Sequence, residues 1–362
     1  MTTAQEFYNN LRKEISFLED ERKIENCTIQ LLDSQKEMLY KFFLSLSKRT
    51  DIDEKMMKNL IVDVLHKPNI ENGKVYEALV YAWLERNRIQ YMPQYHVARE
   101  DCFKTSSQGY DADGILKEGN IVFDVKQFGL TLPHIENLRR KLQAKIPGEY
   151  YLTISGGKNI STKDLQTNFL TQVDDIAKRI MNERNRNGTD YMFKKDGLEF
   201  RAWNLKENST AVSFSEFDPY EWAENNELYF MYHASQFCIN SPYILFCPFD
   251  NRLVRTLFKE DGYAFLAFRT LCRRIFINLV RMDDKKISDY DGKARNDISV
   301  AAAARKISAI VFMDVSEEFD YQHCRVFAFQ NPNADHKIAK HCYNTLFTYN
   351  GAKIDDFVHD NY

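Results

Sequence analysis

The chain has 362 residues, of which 44% are hydrophobic and 28% charged, and a formal net charge of −3. That length and apolar content can bury a substantial core, as one elaborated domain or two to three modules. The near-neutral balance excludes a polybasic protein that grips nucleic acid by overall charge, so any such partner must meet local basic patches. No apolar run approaches the roughly 18 residues a membrane span needs, and the charged start (Glu6, Arg12, Lys13, Glu14) lacks a signal-peptide pattern. The seven cysteines are scattered and lack a CxxC pair, which suits buried thiols in a reducing, cytoplasmic setting. His323-Cys324 and His341-Cys342 hint at a metal, but neither has finger-like spacing.

Residues 1–70 read as an N-terminal helical region, with Phe7, Leu11, Ile15 and Leu18, then Leu39, Phe42, Phe43 and Leu46, at helical spacing. A bundle that covers a core explains them better than a partner-binding module. Gly73 to Asn87 also predicts a helix, with Tyr76, Leu79, Val80, Trp83 and Leu84 as its apolar stripe. Glu77 sits at the edge of that stripe beside Val80, Tyr81 and Leu84, where a partly desolvated carboxylate needs a partner. Tyr95 to Phe103 can supply a strand.

Tyr110 to Lys126 predicts a β-hairpin, apolar runs flanking a turn at Glu118-Gly119 followed by Asn120. With Glu118 and Gly119 as the turn, Ile115 faces Val122, Asp113 faces Asp124 and Asp111 faces Lys126. Alternation then projects Asp111, Asp113, Asp124 and Lys126 the same way. Like charges directly opposed destabilise a sheet. A hard divalent cation between them, with Lys126 beside it, resolves the conflict.

Leu132 to Ile146 reads as a further helix, started by Pro133, and Tyr150 to Ile154 as a buried strand. Ser155-Gly156-Gly157-Lys158 lacks the remaining features of a phosphate loop and reads as a strand exit. Ser161 to Arg184 is an amphipathic helix with a capping box at Ser161 and Asp164 and a stripe of Leu165, Phe169, Val173, Ile176 and Ile180. Beyond residue 190 aromatics alternate with charges. Pro242–Phe249 and Ile307–Asp314 read as buried strands flanking a helix in which Phe265, Phe268 and Phe276 interleave with Arg269, Arg273 and Arg274. That mixture suits phosphate contacts and base stacking, and equally a packed helix whose arginine stems snorkel. Lys285, Lys286, Lys293, Arg295, Arg305 and Lys306 extend the basic surface.

A helix carrying a Glu, a hairpin carrying an Asp, and Asp-Val-Lys on the next strand resemble the PD-(D/E)xK nuclease superfamily, over roughly Gly73 to Ser155. The resemblance implies an α/β fold with a restriction-endonuclease-like core, a mixed central sheet flanked by helices, in the order helix, three strands, helix, strand. It would occupy residues 71–188, with an aromatic-rich α+β region at 189–362 completing the core and contacting nucleic acid. It implies Mg²⁺, with Mn²⁺ as a substitute, bound by Asp113 and Asp124. Lys126 would orient and acidify the attacking water, and Glu77 would assist metal binding or position the lysine. This chain departs from the pattern in having no Pro before the Asp, and Asp111 is the alternative to Asp113 should a bulge shift the register. The implied activity is hydrolysis of DNA rather than RNA, in a prokaryotic restriction or defence setting, by a homodimer if both strands are cut. The competing expectation is a catalytically silent nuclease-like fold that binds nucleic acid or a protein.

Overall fold

The computed structural model describes residues 3–24, 27–29, 31–66, 73–103, 109–126, 141, 145, 149–154, 172–187, 191–195, 198–203, 219–227, 230–231, 237–249, 261–287, 298–315 and 325–357. Helices α1 (Ala4–Glu14), α2 (Asp33–Leu46), α3 (Glu54–His66) and α4 (Gly73–Arg86) precede strands β1 (Tyr91–Val97), β2 (Tyr110–Leu116) and β3 (Ile121–Val125). Then come β4 (Glu149–Ile154), α5 (Val173–Asn187), β5 (Tyr191–Lys195), β6 (Leu198–Trp203) and α6 (Pro219–Asn226). The remainder are β7 (Tyr243–Phe249), α7 (Asp261–Arg273), α8 (Val300–Lys306), β8 (Ala309–Asp314), β9 (Val326–Gln330), α9 (Lys340–Tyr343) and β10 (Lys353–Asp355). Among the described residues no helix is long and apolar enough to cross a membrane.

The chain is mixed α/β and divides into two compact units. One comprises Met1–Phe128, Phe230–Asn251 and Cys272–Tyr362; the other comprises Gly129–Tyr229 and Arg252–Leu271. The first holds a seven-stranded mixed sheet in the order β1-β2-β3-β7-β8-β9-β10. Strands β1, β2 and β3 run antiparallel in sequence, β7 lies parallel to β3, and β8 lies parallel to β7. Every residue of β7 and of β8 is buried, as expected of strands covered on both faces. The N-terminal helices share one core cluster with α4, β3 and β7, so Phe7, Leu11, Leu39, Phe42, Phe43 and Leu46 cover the sheet. A capping box between Thr3 and Glu6 starts α1.

The strand expected after the hairpin joins a different sheet. β4 pairs with β6 in the antiparallel set β4-β6-β5, within the second unit. The place beside β3 is taken by β7, so the expected core at residues 71–188 contributes only β1, β2 and β3 to the large sheet. A short apolar run such as Tyr150 to Ile154 announces a strand without naming its neighbour, which tertiary packing decides. In the second unit α5 buries Val173, Ile176, Ala177 and Ile180, the later part of the predicted stripe. Ser155–Lys158, the Ser161–Asp164 capping box, Cys324, Lys293, Arg295 and, apart from residues 141 and 145, the helix predicted at 132–146 lie outside the described residues.

Helix α7 buries Ala264, Ala267, Phe268, Leu271 and Cys272, and a π-helical turn at Arg274–Asn278 buries Ile275 and Phe276. Arg269, Arg273 and Arg274 are half-buried and already engaged within the chain. This is the arrangement of a packed helix with snorkelling arginines.

Candidate active site

The hairpin keeps the register its sequence predicts: Ile115 pairs with Val122, flanked by Gly114 with Phe123 and Leu116 with Ile121. The turn is centred on Glu118 and Gly119, as expected, and its left-handed residues are Gly119 (φ +81°) and Asn120 (φ +48°). Gly and Asn enter that region at least cost, so the left-handed positions settle on them while the strands stay in step.

Continuing the ladder sets Asp113 opposite Asp124, and there side chains replace the regular backbone bonds. The Asp113 N–H donates to Asp124 Oδ1 at 3.0 Å, and the Val125 N–H donates to Asp113 Oδ2 at 2.7 Å. The Lys126 N–H donates to the Phe246 carbonyl at 2.8 Å, which holds β3 against β7 up to the lysine. Lys126 Nζ stands 3.8 Å from Asp124 Oδ2, on the same face two residues along. The Tyr243 hydroxyl, from β7, donates to Asp124 Oδ2. Asp124 is only 2% exposed, so the Asp113 N–H, the Tyr243 hydroxyl and Lys126 compensate its desolvated charge.

Glu77 arrives from α4 and is 3% exposed. Aromatic packing holds that helix on the sheet: Tyr81 stacks on Tyr91 with centroids 5.2 Å apart and meets Phe123 edge-on at 6.3 Å. The Tyr81 hydroxyl lies between Glu77 Oε1, 2.7 Å away, and the Asp113 carbonyl, and so ties helix to hairpin. Lys74, one turn before Glu77, forms an ion pair with it.

Charge balance across the group is uneven. Glu77 has Lys74 and Asp124 has Lys126, while among the described residues no ammonium forms an ion pair with Asp113. Burial, then the Glu77 and Asp124 carboxylates, push the Asp113 carboxyl up to about 7, against the pull of the Val125 N–H and Lys126. Burial opposes the Lys74 ammonium, yet Glu77 and then Asp113 outweigh it and raise its pKa. Burial, then Asp124 and Tyr110, raise the Tyr243 phenol far above its ordinary value, so it remains a donor at any working pH.

Of the residues expected at the site, Glu77, Asp113, Asp124 and Lys126 come together. Asp111 does not: its side chain is 74% exposed and binds His96 Nδ1 at 2.8 Å, across the β1–β2 ladder where those two residues pair. No bulge exchanges it with Asp113, because the register holds. Sequence reasoning missed Lys74, Tyr81 and Tyr243 as site residues. The first two lie one turn either side of Glu77 on one helix face, a legible signal. Tyr243 comes from a distant strand, and no local pattern pointed to it.

Gly114, beside Asp113, is required by crowding. A Cβ there would lie 2.8 Å from the Met92 carbonyl oxygen and 2.5 Å from Phe123 Cζ. Gly114→Ala is expected to cost about 1–3 kcal/mol of unfolding free energy in denaturant titrations, because the β1 backbone and the packed ring must both shift.

Comparisons with family models, curated proteins and solved structures found no match for this chain. The chemistry of the group therefore rests on its own geometry. Glu77 and Asp124 both act on Asp113, whose carboxyl is pushed up to about 7 by burial first and then by those two charges. Oxygen-only donors of this kind suit a hard divalent ion, and Asp113 and Asp124 with Glu77 could hold one once their side chains turn inward, since their oxygens do not all lie within 4.8 Å of one another.

Proposed function

We propose that the chain is a Mg²⁺-dependent endonuclease with a restriction-endonuclease-like core, hydrolysing phosphodiester bonds of DNA in a prokaryotic restriction or defence role. The observation that carries this reading is the pair of opposed hairpin carboxylates, with the Asp113 N–H donating to Asp124 Oδ1 at 3.0 Å, the Val125 N–H donating to Asp113 Oδ2 at 2.7 Å and Lys126 Nζ 3.8 Å from Asp124 Oδ2. A structural scaffold gains nothing from opposed carboxylates, whereas a cation site needs them. The order helix, antiparallel β1-β2-β3, then β7 parallel to β3 is in keeping with the resemblance in the sequence.

Asp113 and Asp124 would hold Mg²⁺, with Glu77 assisting. When bound, the ion supplies Lewis-acid stabilisation of charge on the phosphoryl and leaving oxygens. The protein's own groups do the rest. Lys126 orients the attacking water, favours loss of its proton and offsets the charge that builds on the phosphoryl group. Tyr243 fixes the rotamer of Asp124 through a donor that stays protonated. Tyr81 and Lys74 set Glu77, so that the helix contributes an oriented carboxylate. The reaction is direct hydrolysis, without a covalent intermediate.

The test is incubation of the full chain with plasmid DNA in Mg²⁺ or EDTA, beside Lys126→Ala. Nicking or linearisation in Mg²⁺, absent in EDTA and in the variant, is the expected result. Tight DNA binding without cutting in Mg²⁺ or Mn²⁺ would replace this reading with the silent nuclease-like fold. Cutting that survives Lys126→Ala unchanged would remove the lysine from the mechanism. Cleavage of both strands should accompany a homodimer by light scattering, since one such site cuts one strand at a time.

A further inference from the structure

The same hairpin carries a second group of donors at its other end. Glu118, in the β2–β3 turn, meets His341 and Cys342 of α9, with a carboxylate oxygen, an imidazole nitrogen and a thiol sulfur all within 4.8 Å of one another. Cys342 Sγ lies 3.2 Å from His341 Nε2. The sulfur is inside, at 3% exposure of its residue, while Glu118 and His341 are exposed and close over it from two separate segments. The turn is shaped around that sulfur: a Cβ at Gly119 would sit 3.3 Å from Cys342 Sγ, and Gly119 has φ +81°. Glu118 also borders a cleft of about 600 Å³ with Lys117, Thr345, Tyr349 and Asn350, which gives water access to the cluster's carboxylate side.

We propose that Glu118, His341 and Cys342 form a zinc site, with water as the fourth ligand, that pins the tip of the catalytic hairpin to α9. A mixed sulfur, nitrogen and oxygen set is what Zn²⁺ accepts, and bonds of about 2.0–2.3 Å in a tetrahedron place ligand atoms roughly 3.3–3.8 Å apart. A cluster already within 4.8 Å reaches that spacing by side-chain rotation. Mg²⁺ prefers oxygen ligands and leaves thiolates alone, so chemistry separates this site from the carboxylates at Asp113 and Asp124. The adjacent pair His341-Cys342 has no finger-like spacing because its third partner comes from a remote turn. Tethering that turn would hold the register that sets Asp113 against Asp124.

The experiment is titration of the untagged full chain with Zn²⁺ against a chromophoric chelator, with bound metal counted by mass spectrometry. Co²⁺ substitution reports thiolate ligation through its charge-transfer band. One zinc per chain is expected, with affinity lowered at least about 100-fold in Cys342→Ser and in His341→Ala. The exposed His341 makes its variant safe for folding, which circular dichroism checks. Asp124→Asn should bind zinc like the parent. Absence of stoichiometric zinc at micromolar free metal, or unchanged affinity in the Cys342→Ser/His341→Ala double variant, would overturn the proposal. Neither outcome bears on DNA cleavage in Mg²⁺, so the two readings fail separately.

Discussion

Asp124→Asn should lower Mg²⁺-dependent DNA cleavage about 10³-fold, the equivalent of about 4 kcal/mol of transition-state stabilisation, with little change in fold. The asparagine keeps an oxygen for the Asp113 N–H, which donates to Oδ1 at 3.0 Å, so the hairpin bond survives. What it loses is the negative charge that faces Lys126 Nζ at 3.8 Å and that would hold the ion. Tyr243→Phe separates charge from orientation. It leaves the carboxylate in place and removes only the hydroxyl that fixes it. A loss of about 10–100-fold is expected there, largely recovered at raised Mg²⁺, as for other groups that orient a metal ligand from behind. Asp124→Asn should not recover at any Mg²⁺ concentration. The measurement is initial cleavage rate against Mg²⁺ for the three proteins. Equal Mg²⁺ dependence in Asp124→Asn and the parent would remove Asp124 from the cation site. Lys126→Arg should rescue Lys126→Ala poorly, because a planar fork cannot replace a compact ammonium beside one carboxylate oxygen.

The parts of this site that were legible in the sequence are those set by local periodicity. Alternation on two short strands and a turn at Glu118-Gly119 followed by Asn120 sufficed to place Asp113 opposite Asp124 and Lys126 beside it. Helical spacing sufficed to find the helix that carries Glu77, but not its burial: α4 buries every residue from Val75 to Leu84, so Glu77 sits in a helix covered on all faces rather than at the edge of a stripe. What decides Asp111 was legible only in part: the register excluded it as the partner of Asp124, but its bond to His96 depends on β1 being the hairpin's neighbour. Tyr243 was out of reach for a related reason. Its strand read as buried, yet nothing in Pro242 to Phe249 says that it lies parallel to β3 rather than beside Tyr150 to Ile154. Strand identity follows from composition, and strand partnership follows from which faces the helices cover. The long stretch between β3 and β7 therefore hid the continuity of the sheet.

The unliganded protein should lose stability as pH rises from about 4 to about 7, and Asp113→Asn should abolish much of that slope. Asp113 titrates near 7 in the folded chain, against an ordinary 3.8, because burial and then Glu77 and Asp124 disfavour its charge. Between those values the folded protein keeps a proton that the unfolded chain has released. Stability then falls with rising pH and flattens once the folded group is ionised, by up to about 4 kcal/mol for a shift of this size. The asparagine carries no charge and still accepts from the Val125 N–H through its side-chain oxygen, so the variant should be the more stable protein at pH 8. The two should converge below about pH 4, where the carboxyl is protonated in the unfolded chain as well. On the proposed function, Mg²⁺ would bring a cation to Asp113 and compete with its proton. It should therefore raise the melting temperature of the parent more at pH 8 than at pH 6, and that of Asp113→Asn little at either. EDTA should reverse the gain. A parent whose apo stability rises from pH 5 to 8, or an Asp113→Asn variant stabilised by Mg²⁺ as much as the parent, would separate this carboxyl from the cation site. Near neutrality, then, a metal held at Asp113 would compete with the proton that burial keeps there.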